Sequence, residues 1–428
     1  MGRSDRAGEK NLTGEGVAAG AAGAAVDAGA ATGVAADTCA RGAAGADAAG
    51  TAELAALTRW RRDLHRIPEL DDDLPETISY VHGVLEGLAC EVLEPCPGAL
   101  AAWFDLGRPT TVALRADMDA LPVAERTGAP YASVHPGRMH ACGHDGHMAM
   151  ALGAARWVSD VVRGRADGLT ADDLPRNVLV VFQPAEETTG GAARVCASGL
   201  FERTRTERIF GFHLWPELPA GVVASRAGAL LARSSEVTAE FTGRSSHIAR
   251  WQEGRDALAA AARFVPSAEA MCGKLDEEAD EPCLLRFGRL EAGTVRNAIA
   301  GEARAEGSLR VFSDAMFDRA REAVGGLARA AAAAEGCEVR LGFSEGYPPV
   351  VNDEALFAQV EQALPELSHV GEPLLIAEDF AFYQRHLPGV FLLLGTGTGI
   401  PLHADTFNFD ERVLLAGVDT YRRLVQMP

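Results

Sequence analysis

The stretch His140-Ala-Cys142-Gly-His144-Asp145-Gly-His147 decides the interpretation of this chain. It places three imidazoles, one thiol and one carboxylate within eight residues. Imidazole and thiolate are the ligands that zinc and neighbouring metals prefer, and each such group buried without a partner costs about 1 to 3 kcal/mol. Side chains two residues apart in an extended stretch point the same way, so we expect Cys142 and His144 to face one point. His147 opens an apolar run typical of a helix, and we do not expect it to be a ligand. A polar loop with hydrogen-bonded histidines is the alternative.

Further ligand-type residues follow three other predicted strands, each at the C-terminal end of its strand. They are Glu186 and Glu187 after residues 177–182, His213 after 208–212, and His403 after 390–395. Open α/β sheets place their sites at this edge, so we expect these side chains to converge. Taken singly, each histidine would be expected to be structural and the glutamate pair to be exposed. Convergence with the first cluster favours a metal site.

The residue types in this set are those of metal-assisted hydrolysis. One of the two adjacent glutamates can bind a metal while the other accepts a proton from water, whose pKa a metal lowers toward about 7. One catalytic zinc with an open position needs fewer than five protein ligands, so two metals are expected. The five predicted ligands are Cys142, His144, Glu187, His213 and His403. Asp117 and Asp119 are expected to fix an imidazole tautomer or to cap a helix or loop, rather than to bind metal.

Composition excludes several classes of function. The net charge of −20 repels phosphate backbones and anionic lipid, so nucleic acid and membranes are not expected partners. No run of about 18 apolar residues predicts a membrane span. The eight cysteines form no CxxC pair, which is typical of free thiols in a reducing compartment and favours the cytoplasm.

The chain is long enough for two domains. Residues 1–50 are rich in Ala and Gly and are expected to be a disordered tail, with an Ala-rich helix as the alternative. Residues 51–234 and 345–428 are predicted to form an α/β catalytic domain of the phosphorylase/hydrolase-like kind. Residues 235–344 alternate strands with two Ala-rich helices, over 255–264 and 316–334, and are predicted to form an inserted α+β, ferredoxin-like lid domain.

Six motifs in order resemble the amidohydrolase branch of the aminoacylase/carboxypeptidase zinc metallopeptidase superfamily, which includes hippurate hydrolases and auxin-conjugate hydrolases. The motifs are Arg62-Asp-Leu-His65-Arg-Ile-Pro68-Glu69-Leu70, Arg115-Ala-Asp-Met-Asp-Ala-Leu-Pro122, residues 139–147, Phe182-Gln-Pro-Ala-Glu-Glu187, Gly211-Phe-His213-Leu-Trp-Pro216 and Pro401-Leu-His403. They extend from about Arg61 to the C-terminal region.

The resemblance implies a di-metal site with those five ligands, Cys142 as the bridge and Glu186 as the general base. It also implies that the lid residue His247 stabilises the oxyanion, and that Asn297 and Arg310 bind the substrate carboxylate. From the residues alone, His247 could instead cap a helix and Arg310 could be an ordinary surface charge. Similar proteins often pair through their lid domains, so a homodimer through the lid is an expectation.

Two lid motifs depart from the usual pattern of these proteins. Their Gly-Gly-His-Ala-Ala-x-Pro-His is here Ser245-Ser-His247-Ile-Ala-Arg-Trp251, and their Asn-Val-Ile-Pro is Asn297-Ala-Ile-Ala300. The residues of the metal site are intact. We therefore expect the chemistry to be retained and the substrate to differ, with Trp251 lining a substrate pocket or packing in the lid core.

The predicted function is metal-dependent hydrolysis of an N-acyl amide bond of an amino acid or related small amide, releasing a carboxylic acid and a free amine. A dipeptidase or carboxypeptidase is the alternative enzyme. A catalytically silent binding protein would be expected to lack Glu186 or a ligand. The expected cofactors are two divalent metal ions, zinc or manganese, with cobalt or nickel as alternatives.

Overall fold

An eight-stranded mixed sheet forms the centre of the computed structural model, which describes residues 43–166 and 168–428. In spatial order its strands are β1 (Glu91–Leu93), β2 (Leu100–Phe104), β4 (Asn177–Gln183), β3 (Thr111–Asp117), β5 (Thr206–Trp215), β14 (Gly389–Gly395), β6 (Val223–Ser225) and β13 (Ser368–His369). The central strands β4, β3, β5 and β14 are parallel. Every residue of β3, β4 and β14 is buried, as expected for parallel strands covered on both faces.

Helices cover both faces of this sheet. One face packs against α1 (Ala43–His65), α2 (Pro75–Leu85), α3 (His144–Val162), α8 (Glu354–Ala363) and α10 (Val413–Gln426). The other face packs against three short helices, α4 (Gly191–Ala197), α5 (Leu200–Thr204) and α9 (Ala381–Gln384). Alternate residues of β4 enter the two cores, with Val180 in the first and Val181 in the second. The α/β layering agrees with the predicted fold class.

A second sheet with its own core forms what we call the lid layer, residues 233–343. Its elements are β8 (Arg233–Thr242), α6 (Ala257–Ala279), β9 (Cys283–Ala292), β10 (Glu302–Val311), α7 (Asp314–Ala334) and β11 (Glu338–Phe343). The strands are antiparallel in the order β11-β8-β10-β9. This β-α-β-β-α-β arrangement is ferredoxin-like, as the sequence predicts.

The chain enters and leaves the lid layer at adjacent points. A single residue, Ala232, separates strand β7 (Gly228–Leu231) from β8. Strand β7 pairs with β12 (Val350–Asn352), which follows β11. Because β8 and β11 are antiparallel neighbours, the start of β8 and the end of β11 lie at the same edge. Both crossings therefore lie side by side.

Several boundaries differ from the predicted ones. Helix α6 continues through Pro266 to Ala279 although its predicted end is residue 264, because Ala268, Cys272 and Leu275 extend its buried stripe beyond the proline. Residues 43–50, predicted to be part of the disordered tail, belong to α1, and the rest of that tail lies outside the described residues. In the described ranges no helix combines the length and the apolar character that a membrane crossing requires.

Candidate metal centre

Five ligand-type side chains from distant segments converge at the C-terminal edge of the central strands. The Sγ atom of Cys142 lies 3.3 Å from His213 Nε2, and His403 Nε2 lies 3.3 Å from Glu187 Oε1. Two groups of three share the thiol, with all ligand atoms in a group within 4.8 Å of one another. They are Cys142, His144 and His213, and Cys142, Glu187 and His403. The arrangement offers two adjacent cation positions with Cys142 common to both.

The imidazoles of this cluster present lone pairs to it. His144 Nδ1 donates to the Asp119 carbonyl oxygen at 2.8 Å, and His213 Nδ1 donates to the Leu214 carbonyl oxygen at 2.7 Å. With Nδ1 protonated, Nε2 of each ring is left as a lone pair. His144 Nε2 is buried without a hydrogen-bond partner and lies 3.9 Å from Glu187 Oε1, which His403 Nε2 approaches to 3.3 Å. A cation beside these two groups would satisfy the free His144 lone pair and the Glu187 carboxylate together.

A left-handed turn, rather than an extended stretch, brings Cys142 and His144 together. Gly143 has φ +87° and His144 is the first residue of α3, so the prediction of an extended segment is wrong here although the two side chains do converge. A Cβ at residue 143 would lie 2.9 Å from Leu214 Cδ1. Glycine is required because of both the backbone conformation and this close approach.

Asp119 shapes the turn that carries the two glutamates. Its carboxylate accepts the backbone N–H groups of Glu186 at 2.9 Å and Glu187 at 3.0 Å. The residue before them, Ala185, has φ +54°, an unfavourable conformation for alanine. Tyr347 Oη also donates to the carbonyl oxygen of Glu186 at 2.6 Å. The turn is therefore fixed from two sides, and Asp119 fixes the His144 tautomer with its backbone rather than its carboxylate.

Asp117 orients His147, which lies next to the cluster. The carboxylate accepts His147 Nδ1–H at 2.6 Å, and His147 Nε2 accepts the backbone N–H of Leu214 at 2.9 Å. Both ring nitrogens are therefore occupied, which leaves no lone pair for a metal. Asp117 lies 3.8 Å from His144 Nε2 and is also bound by Arg115.

The sequence analysis missed a buried ionic cluster behind the glutamates. Arg115 donates to Gln183 at 2.8 Å, to Asp117 at 2.6 Å, to Glu378 at 2.9 Å and to Asp379 at 2.8 Å. Glu378 and Asp379 also lie within 4.8 Å of Glu186 as a further acidic group. The only local signal was the acidic pair Glu378-Asp379 between Ala377 and Phe380.

The electrostatics of the centre favour the binding of added positive charge. Six carboxylates surround it: Asp117, Asp119, Glu186, Glu187, Glu378 and Asp379. Among the described residues, Arg115 is the only arginine or lysine within ion-pair distance of any of them. Burial and the Glu378 carboxylate hold the pKa of Glu186 well above its usual range, and burial beside Glu187 does the same to the Cys142 thiol. Burial also opposes ionisation of Glu187, but His403 and His144 hold its pKa below the usual value. Divalent cations would supply the missing charge.

A cavity of about 710 Å³ separates this centre from the lid layer. Its walls include Cys142, Glu186 and His403 on one side and Arg310 on the other. Arg310 is half-buried, and burial lowers the pKa of its guanidinium. Of the three predicted lid residues, Arg310 is therefore the one that reaches the cavity.

The other two lid residues lie elsewhere. His247 is exposed, and its Nδ1 accepts the backbone N–H of Ala249 at 3.1 Å, so it caps the short 3₁₀ turn Ile248–Glu253. Asn297 is exposed, and its backbone carbonyl oxygen accepts the backbone N–H of Ile248 at 3.0 Å. Neither lines the cavity. Trp251 is 60% exposed, so it does not pack in the lid core, and it does not line the cavity.

Comparisons with known proteins agree on one family. The model of peptidase family M20/M25/M40 matches residues 113–427. The chain is 36% identical over 382 residues to N-acetyldiaminopimelate deacetylase of Limosilactobacillus fermentum, covering 86% of this chain and 96% of that protein. It is 33% identical over 370 residues to the protein of the same name from Oceanobacillus iheyensis, covering 85% and 96%. A dinuclear metal-binding peptidase of the M20 family from Bacillus subtilis superimposes with a TM-score of 0.75 at 29% identity, covering 88% of this chain and 98% of that one.

Proposed function

Because the chain belongs to peptidase family M20/M25/M40 and is a metal-dependent amidohydrolase, we propose that its two groups of ligand-type residues hold two divalent cations. The reaction is hydrolysis of the amide bond of an N-acyl amino acid or related small amide. Cys142 belongs to both groups and would bridge the pair. His144 and His213 would complete one position, and Glu187 and His403 the other.

Three observations of the site support this assignment. The Nε2 atom of His144 is buried and has no hydrogen-bond partner. The protonated Nδ1 atoms of His144 and His213 leave their Nε2 lone pairs directed at the thiol and carboxylate. The excess of carboxylates over guanidinium groups supplies an electrostatic reason for binding cations. Zinc or manganese suits this mixed N, O and S donor set, with cobalt or nickel as alternatives.

Glu186 is the proposed general base and acid. When bound, the cations polarise the scissile carbonyl and lower the pKa of water toward about 7. Glu186 takes the proton from the attacking water and delivers it to the leaving nitrogen. Asp119 and Tyr347 hydrogen-bond to the backbone of Glu186, so the position from which its side chain extends at the cavity wall is fixed. Burial and neighbouring carboxylates raise the pKa of Glu186, and nearby divalent cations would lower it again and so favour the ionised form that accepts the proton.

Arg310 is the proposed receptor for the substrate carboxylate. Its guanidinium lines the cavity opposite the metal-type residues and makes no ion pair with the described residues. A half-buried guanidinium without an ion-pair partner is stabilised by an anionic ligand. The names of the relatives point to an N-acetylated amino acid, N-acetyldiaminopimelate, as the first substrate to test.

His247 and Asn297 require a rearrangement or a second chain if they act on the substrate. Both are exposed and outside the cavity. The lid layer also exposes five large apolar side chains, Ile248, Trp251, Leu258, Leu290 and Val295. A homodimer through the lid layer would cover such side chains wherever they lie in its interface. The seven cysteines of the described residues are free, which supports a cytoplasmic location.

The test compares two adjacent glutamates. Glu186→Gln is expected to retain both metals, measured by mass spectrometry of the purified protein, and to lose about 100-fold or more in kcat. Glu187→Gln is expected to lose bound metal, while exposed Glu372→Gln serves as the control. Substrates are N-acetyl and N-aroyl amino acids and dipeptides, scored by amine release, which also tests the peptidase alternative. Full turnover by metal-loaded Glu186→Gln would show that the assigned proton transfer is wrong.

A further inference from the structure

The open face of the lid sheet carries two kinds of charged residues. Even-numbered residues of β8 and β10 point away from the lid core, because the odd-numbered ones are buried in it. Far from the cavity these charges pair with one another. Arg304 contacts Glu240 and Glu306, each at 2.8 Å, and Arg289 contacts Glu306 at 2.9 Å.

At the cavity end of the same face the charges are unpaired. Arg310 and Glu236 both line the cavity, and neither side chain makes an ion pair or a hydrogen bond within the described residues. Arg310 lies opposite Ser234 and Glu236 lies opposite Ser308 in the β8–β10 register. The two charged residues are therefore diagonal neighbours on one face, about 7 Å apart along the sheet. They are close enough to bind one small ligand and are not joined to each other.

Glu236 is held in place by its backbone. Its N–H donates to Ser344 Oγ at 2.8 Å, and its carbonyl accepts the N–H of Ser344 at 2.9 Å. These bonds fix the position of the residue and leave the carboxylate directed to the cavity without a partner. The Glu236 side chain is exposed and makes no competing contact within the described residues, so a cationic group can bind its carboxylate without breaking an ion pair.

The opposite wall does not supply the same recognition. Glu186 and Glu187 belong to the proposed catalytic and cation-binding set, and Glu378 is bound by Arg115. Glu236 is the lining carboxylate that these functions leave unused.

We propose that Glu236 binds a free ammonium group of the substrate while Arg310 binds a carboxylate, so that the cavity selects N-acyl diamino acids over N-acyl amino acids that lack the second amine. The inference rests on the proposed function for the location of the scissile amide. Glu236 is thus a specificity-determining residue that acts on binding and not on the chemical step.

The experiment uses two substrates that differ by one amine, N-acetyl-2,6-diaminopimelate and N-acetyl-2-aminopimelate. The metal-loaded full chain is expected to prefer the first by about tenfold or more in kcat/KM, the usual effect of a charge-assisted hydrogen bond, chiefly through KM. Glu236→Gln is expected to bring the ratio to within about twofold of unity, while Glu236→Asp retains part of the preference. Glu240→Gln removes the same charge from the same face outside the cavity and is expected to leave the ratio unchanged.

A second readout separates this inference from the proposed function. Calorimetric binding of both compounds to Glu186→Gln, with and without Glu236→Gln, measures recognition without turnover. If the metal-loaded wild-type chain hydrolyses neither compound, while binding to Glu186→Gln shows a preference that depends on Glu236, the proposed reaction is contradicted and ammonium recognition is supported. Hydrolysis of both substrates with equal kcat/KM, or a preference that persists in Glu236→Gln, would overturn the inference.

Discussion

Replacing Arg115 with methionine is expected to destabilise the protein by about 3 to 5 kcal/mol, the cost of leaving a buried charge without its partner. The guanidinium lies 2.6 Å from Asp117, 2.9 Å from Glu378 and 2.8 Å from Asp379, and all four side chains are at most 2% exposed. Methionine fills most of the volume but leaves three carboxylates without that cation. Since domains are stable by about 5 to 15 kcal/mol in total, the loss is a large fraction of the whole.

The assay is urea unfolding of metal-loaded protein, followed by tryptophan fluorescence and far-ultraviolet circular dichroism. The midpoint is expected to fall without a change in the slope of the free energy against urea. Arg304→Met is the matched control, because Arg304 contacts Glu240 and Glu306 with its side chain 48% exposed, and exposed pairs contribute about 1 kcal/mol or less. An Arg115→Met protein as stable as the Arg304→Met control would refute the assignment of Arg115 as the balancing charge.

Three further changes test other parts of the structure. Cys142→Ser is expected to reduce metal content below two ions per chain, measured by mass spectrometry, since both proposed positions share its thiolate; retention of two tightly bound ions would exclude the bridge. Gly346→Ala is expected to destabilise the protein by more than about 1 kcal/mol in thermal unfolding, because the glycine has φ +55° and an added Cβ would lie 1.6 Å from the Ser234 carbonyl oxygen. An unchanged Tm would contradict this expectation. Burial disfavours the charged His65 imidazole, but Asp145 outweighs this effect and the pKa of His65 is raised. The charged imidazole therefore stabilises the folded protein fully below its unfolded pKa near 6.5, and this stabilisation is lost as pH rises through the higher folded pKa. The stability difference between wild type and His65→Asn should therefore shrink from pH 6 to pH 9 in urea titrations, and a growing difference would reverse the argument.

The convergence of the metal-type residues could be predicted from sequence because Glu186, Glu187 and His403 follow buried strands. His213 lies within three residues of the end of another such strand. Parallel strands bring their C-terminal ends to one edge, so residues as distant as Glu187 and His403 are expected to meet without any knowledge of the loops. The backbone conformation that brings Cys142 and His144 together could not be predicted in the same way. The sequence predicts an extended Cys142-Gly-His144 segment, whereas Gly143 turns into α3, and only the positive φ reveals that difference.

The remaining differences arise from tertiary packing. Glu378 meets Arg115 across 263 positions of the chain, and no local pattern marks such a pair. Helix α6 continues past Pro266 because its buried stripe outweighs the lost hydrogen bond. His247 matches the lid motif by sequence, yet its distance from the cavity depends on how the lid layer is placed. That placement depends on contacts that periodicity does not describe.

The side-by-side crossings at Leu231–Arg233 and between β11 and β12 make the lid layer an exchangeable module. A different insert with the same spacing between its two ends would join the chain without changing the order of the eight central strands. Such an exchange would replace Arg310 and Glu236 and leave Cys142 and Glu186 where they are. New substrate preferences can therefore be engineered by transplanting lids between relatives, with the hydrolytic half of the molecule kept constant.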